Sequence, residues 1–289
     1  MRIPHAIPAL LLIGTTAAAA AEVRTVSVTV TDEKGTPLRG LSAEEVVVLE
    51  NGVARAVTRI EADERPLTVA LLVDTSAPMG SLYRLNVLDP VLAFLGRLPA
   101  GARYAVWTLG DRPQKVVDFT AESGEASRAL KRVIPIGGNT LLDALLEVSD
   151  ALKKQEGERT ALVVVTGSGL GFASQDRRTV VDKLKGSGLP VYAVQFDEVG
   201  DAGVQGAGPD QVGRLDYDFV LGALTKESGG IWERPLSAMG VDRALRKVSS
   251  ELTGQYRVSY DATQKEGKVE VQVARQGAKV RVAPAPAAR

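Results

Sequence analysis

Between Leu67 and Leu252 the chain alternates short, unbroken apolar runs with longer stretches whose apolar residues recur every three or four positions. The runs Val69–Val73, Arg103–Thr108, Ala161–Val165, Leu189–Phe196 and Ile231–Trp232 read as strands. Unbroken apolar character marks strands covered on both faces, as in a parallel sheet. The 3.6-residue period predicts helices over Leu85–Leu98, Ser123–Val133, Leu141–Lys154, Arg177–Lys185, Phe219–Ser228 and Met239–Thr253. Gln114–Phe119 is short enough for an edge strand or hairpin arm. Asp197–Asp218 is polar and glycine-rich and reads as a long loop. Strands alternating with helices predict a doubly wound, mostly parallel α/β sheet.

Outside that region the period changes to two. Val23–Thr31, Val46–Glu50 and Val53–Ile60 read as strands, with a turn at Asp32–Pro37 and a hairpin at Asn51-Gly52. Gln255–Tyr260, Val269–Val273 and Ala278–Val282 alternate in the same way. Strands at both ends predict one small antiparallel β module with the α/β domain inserted into it, since insertions are tolerated where chain ends lie close together. The expected division is 22–65 for the N-terminal β segment, 66–252 for the α/β domain, 253–283 for the C-terminal β segment and 284–289 for a disordered Pro/Ala tail.

Composition narrows the chemistry. The 289 residues carry 35 basic and 35 acidic side chains, so nothing points to nucleic acid. There is no cysteine, and His5 is the one histidine. That excludes thiolate chemistry, zinc held by Cys or His, and triads with a histidine base. His5 itself lies in a stretch, residues 1–21, with a positive start, a short alanine-rich apolar run and small residues before Glu22. This describes a secretory signal peptide, with a retained N-terminal anchor as the alternative. Export to the periplasm or the cell exterior is the expectation, without a stable membrane span once the leader is cut.

The stretch that concentrates chemistry is Asp74-Thr75-Ser76-Ala77-Pro78, at the carboxyl end of the first buried strand, where open α/β sheets place ligands. An oxygen-rich D-x-S there is a seat for a hard cation; the plainer reading is that Asp74 and Ser76 cap the next helix. Gly167–Gly171 is better read as a tight turn than as a phosphate loop, since no Lys-Ser/Thr follows. A Ser–Lys pair could supply a nucleophile, but no lysine is singled out.

The order of these pieces resembles the von Willebrand factor type A fold. DTSAPMGS at Asp74–Ser81, GGNTLLDAL at Gly137–Leu145, ALVVVTGSG at Ala161–Gly169, LPVYAVQF at Leu189–Phe196 and LTKESGGIW at Leu224–Trp232 carry the resemblance. More narrowly, Val26–Gly52 and Leu252–Tyr260 resemble the opening and closing segments of exported bacterial proteins described as VWFA-related. The resemblance implies a metal-ion-dependent adhesion site, with the pattern D-x-S-x-S, a Thr in a second loop and an Asp after a later strand. Asp74, Ser76 and Thr140 match. Pro78 and Gly167 stand where the second Ser and the later Asp are expected, so the implied site is degenerate and Mg²⁺ or another divalent cation is held weakly. Ser168, or an acidic residue of the long loop such as Asp210 or Asp216, is the candidate substitute. The implied function is a non-catalytic protein-binding or adhesion module whose partner is another protein, met at Ser81, Asp111, Asn139 and Ser168. The alternative is a metal-independent structural or envelope-assembly protein with a decayed site.

Overall fold

The computed structural model describes residues 22–155, 159–167, 171–196, 209–263 and 267–283; residues 1–21, Ser168 and the 284–289 tail are among those outside it. Its centre is a six-stranded mixed sheet. The strands are β5 (Leu67–Asp74), β6 (Arg103–Leu109), β7 (Pro113–Thr120), β8 (Arg159–Gly167), β9 (Val191–Phe196) and β10 (Trp232–Glu233). They run in the order β10-β9-β8-β5-β6-β7, with β7 alone antiparallel to its neighbour. Every residue of β5 is buried, because helices cover both of its faces. Leu67, Val69, Leu71 and Val73 face the core built by α2 (Leu88–Gly96), α3 (Ser123–Leu130) and α7 (Val241–Thr253). Ala70 and Leu72 face the other core, built by α4 (Leu141–Lys153), α5 (Arg177–Leu184) and α6 (Pro209–Ser228). The strand period of two thus feeds two separate apolar layers.

The first helix starts earlier than its apolar period predicts. It opens as α1 (Gly80–Leu82), widens into a π turn over Tyr83–Val87 and continues as α2. The wide turn lies just before Pro90, which has no N–H for the helical ladder. A second difference is larger: α6 begins at Pro209, so residues 209–218 are helix and not loop. Proline suits a first helical turn. Tyr217, Val220, Leu221 and Leu224 then recur at helical spacing in the core, a period that the aspartates and glycines around it disguise. Residues 197–208 lie outside the described residues.

Strands from both chain ends build a sandwich beside this domain. One sheet has the order β13-β1-β11-β4, with β1 Glu22–Thr31, β4 Val57–Ala62, β11 Gln255–Ala262 and β13 Lys279–Ala283. The other is β12-β2-β3, with β2 Val46–Glu50, β3 Val53–Arg55 and β12 Val269–Val273. The run Val53–Ile60, expected as one strand, breaks at Ala56 and serves both sheets, a corner typical of packed sheets. Asn51 and Gly52 both take positive φ, as a two-residue hairpin requires. Val26, Val28, Val46, Val48, Tyr256, Val258 and Val271 fill the space between the sheets.

Arg159, buried at the start of β8, ties the module to the inserted domain. Its guanidinium donates to the carbonyl of Asp63, just before β5, at 2.7 Å, and to the carbonyl of Leu252, near the end of α7, at 3.0 Å. The N–H of Asp63 in turn donates to the carbonyl of Gln255 at 2.9 Å. The two crossings between the parts are therefore clamped side by side. Arg159→Ala would leave two buried carbonyls without donors and is expected to lower stability by about 3 kcal/mol. Urea denaturation of the two proteins would show it; a change within error would mean that water replaces the guanidinium.

Glu50, at the end of β2, is closed off from solvent. Burial alone would raise its carboxyl, but the N–H and hydroxyl of Thr263 and the guanidinium of Arg55 outweigh burial and hold it below the ordinary glutamate value. A depressed carboxylate contributes stability at pH above its unfolded value and loses it as pH falls through the folded value. The stability gap between the protein and Glu50→Gln should therefore be widest near neutral pH and close on acidification. A gap that stays constant with pH would contradict this.

Candidate functional site

Asp74 ends β5 at the carboxyl edge of the sheet, 1% exposed. Its Oδ1 accepts the N–H of Ser76 at 2.9 Å and the Ser76 hydroxyl at 2.6 Å. Its Oδ2 accepts the side-chain amide of Asn139 at 2.7 Å and the N–H of Gly167 at 3.0 Å. The hydroxyl of Thr166 lies 3.2 Å from Oδ2 and 2.9 Å from the carbonyl oxygen of Gly167, with one proton for the two. Burial pushes the Asp74 carboxyl above its ordinary value, against the opposing hydrogen bonds from Ser76, Gly167 and Thr166.

Asn139 is the second centre. Its amide donates to Asp74 and, at 2.8 Å, to the Thr166 hydroxyl, while its Oδ1 accepts the N–H of Leu141 at 2.9 Å and so caps α4. Turning the amide over would aim Oδ1 at a carboxylate and Nδ2 at an N–H, so the surroundings allow one orientation. Its backbone carbonyl accepts the N–H of Phe172 at 2.7 Å and the Tyr217 hydroxyl at 3.0 Å. Two backbone bonds knit the neighbouring loops together, from Ala77 N–H to the Gly137 carbonyl at 2.8 Å and from Ile136 N–H to the Thr75 carbonyl at 2.9 Å.

The glycines of this loop have specific tasks. Gly137 has φ 71°, and a Cβ there would meet the Asp111 carboxylate. A Cβ on Gly138 would fall 1.8 Å from the Phe172 ring, which therefore lies directly on the loop.

Of the residues singled out from sequence, Asp74, Ser76 and Asn139 are joined in one buried network. The capping role does not hold: Ser76 precedes the 3-10 turn Ala77–Met79 without a side-chain cap bond, and its hydroxyl goes back to Asp74. Asn139, expected to meet a partner, is buried and its polar groups are engaged internally. Ser81, in α1, and Asp111, in the turn between β6 and β7, are exposed. Ser168 lies outside the described residues, as does the side chain of Asp210. Asp216 pairs with Arg177 at 3.0 Å. Thr166, Phe172 and Tyr217 were not anticipated. Thr166 was legible as the residue before Gly167; Tyr217 would have followed from the helical period of α6.

Residues 69–170 match the family model described as von Willebrand factor type A domain. The chain carries a vWA domain. Solved structures of the same fold include the von Willebrand factor type A protein from Catenulispora acidiphila, 12% identical, covering 92% of this chain and 72% of that one with a TM-score of 0.50. Proximal thread matrix protein 1 from the mussel byssus is 14% identical over 73% of this chain and 50% of that one, with a TM-score of 0.51. At these identities the likeness is one of fold. Comparison with curated proteins gives no match.

Members of the vWA fold often hold a divalent cation at this position, so the residues present can be tested against one. A carboxylate offers about four lone-pair directions, and here Ser76 twice, Asn139 and Gly167 fill them with protein donors. Pro78 and Gly167 add neither hydroxyl nor carboxylate. The hydroxyl of Thr140 is buried without a hydrogen-bond partner, the one matching ligand not used by the chain itself. Among the described residues no three His, Cys, Asp or Glu side chains converge on one point. This donor set does not fit a hard cation.

Asp74→Ala would strand the Ser76 and Gly167 N–H groups and the Asn139 amide in a buried space. The expected loss is about 3 kcal/mol or more, seen as a lowered melting temperature. Unchanged melting would mean that the loops do not depend on the carboxylate.

Proposed function

We propose that this protein is an exported, non-catalytic binding module that holds another protein through the loops at the carboxyl edge of its vWA sheet, over a degenerate cation site at Asp74, Ser76 and Thr140. The observation that supports it is an apolar rim on a polar, hydrogen-bonded base. Ile134, Ile136 and Phe172 are 75%, 61% and 58% exposed. Ile136 and Phe172 are anchored by their own N–H groups to Thr75 and Asn139, so they are presented on fixed backbone. Exposed apolar groups on ordered loops, with the exposed Asp111 beside Gly137, are the surface that protein partners bury.

A non-catalytic role agrees with the chemistry available. Residues 22–289 contain neither histidine nor cysteine, and the buried carboxylate at the site is spent on internal hydrogen bonds. Export rests on the leader-like residues 1–21; among the described residues no helix is long and apolar enough to cross a membrane.

Photo-crosslinking in producing cells tests the surface. A photoreactive side chain at Phe172 or Ile136 is expected to give discrete protein adducts, and one at the exposed Val53 of the β sandwich is not. Phe172→Asp should weaken capture of the adduct partner at least tenfold, about the 1.4 kcal/mol that separates such affinities. Adducts at Val53 with none at Phe172 would move the binding face to the sandwich.

A further inference from the structure

We infer that Asn139 takes the place of a cation at Asp74, so that the site at the edge of the vWA sheet is held together without metal by the chain's own donors. This rests on reading Asp74, Ser76 and Thr140 as a degenerate cation site. A buried carboxylate must be compensated by positive charge or by donors. In a cation site one ion does this and draws separate loops to itself. Here one amide does the same geometric work. The Asn139 side chain links the end of β5 through Asp74, the end of β8 through Thr166 and the start of α4 through Leu141. Through its carbonyl it also holds Phe172 and Tyr217.

The two departures from the cation motif agree with this. At Gly167 the motif's carboxylate is missing, so the strand end meets Asp74 Oδ2 through its backbone N–H alone and adds no acceptor for an ion. At Pro78 the missing hydroxyl leaves a residue fixed in the 3-10 turn, with no side-chain oxygen for an ion. The partnerless Thr140 hydroxyl, next in sequence to Asn139, is a ligand left waiting.

Asn139→Asp turns this into a test. It places a second carboxylate oxygen near the 2.7 Å position now held by the amide. Two carboxylates so close cannot both ionise unless a cation lies between them. Thermal melting of the purified protein, with chelator or with millimolar Mg²⁺, Mn²⁺ or Ca²⁺, is the readout. The wild-type curve is expected to be the same in all conditions. Asn139→Asp should melt several degrees lower in chelator and recover with cation, whereas Asn139→Ala should melt lower and not recover. Electron paramagnetic resonance of Mn²⁺ with the wild type should show only the free ion, which decides the matter should Asn139→Asp fail to fold. A wild-type protein that gains stability from cation, or binds Mn²⁺ in a way abolished by Asp74→Ala, would overturn the inference. So would an Asn139→Asp protein as unresponsive to cation as Asn139→Ala. No partner is present in these measurements, so their failure leaves the binding face at Phe172 to be judged by crosslinking.

Discussion

A carboxylate at the end of a fully covered strand has no water to satisfy it. The strand that carries Asp74 is buried because helices lie on both faces of the sheet, and the acid group is carried inside with it. Everything around that point follows from the need to supply donors. The chain after β5 bends back so that Ser76 can reach Asp74, the strand β8 ends where its Gly167 N–H can do so, and the loop before α4 brings Asn139 across. The loops at this edge are consequently fixed from below, and their outward side chains inherit that fixity.

This separates two things that the sequence motif combines. The motif names residues by what they offer an ion. The fold uses some of the same residues for what they offer each other. Asn139 shows the difference: read as an exposed polar residue in a glycine loop, it suggests contact with a partner, while its position between two acceptors makes it an internal fastener. The apolar residues beside it, Ile136 and Phe172, are the ones left facing outward.

The sheet and its helices were legible because burial on both faces writes continuous apolar strands, and those at Val69–Val73 and Ala161–Val165 lie within β5 and β8. The start of α6 was not, because its aspartates and glycine make the sequence there read as a loop and Tyr217 is the first residue of the buried period. The break at Ala56 was hidden for a different reason: a strand that passes from one sheet to another keeps its alternation and changes only its neighbours. Of the site, the matching residue types could be read directly. Whether a carboxylate meets donors or an ion depends on contacts among residues tens of positions apart, which spacing along the chain does not encode.

The pairing of β1 with β11 has a consequence for how the molecule comes into being. Their register joins Glu22 to Ala262 and Thr29 to Gln255, so the first strand made waits for nearly the last. Closing so long a loop from an unfolded chain is slow, but a compact inserted domain shortens the gap by bringing its two ends together, where Arg159 holds them. During synthesis the α/β part can complete itself while β1 remains an open edge, the kind of edge that invites association with other chains. A pairing of β1 with β11 therefore closes a loop that spans the whole inserted domain.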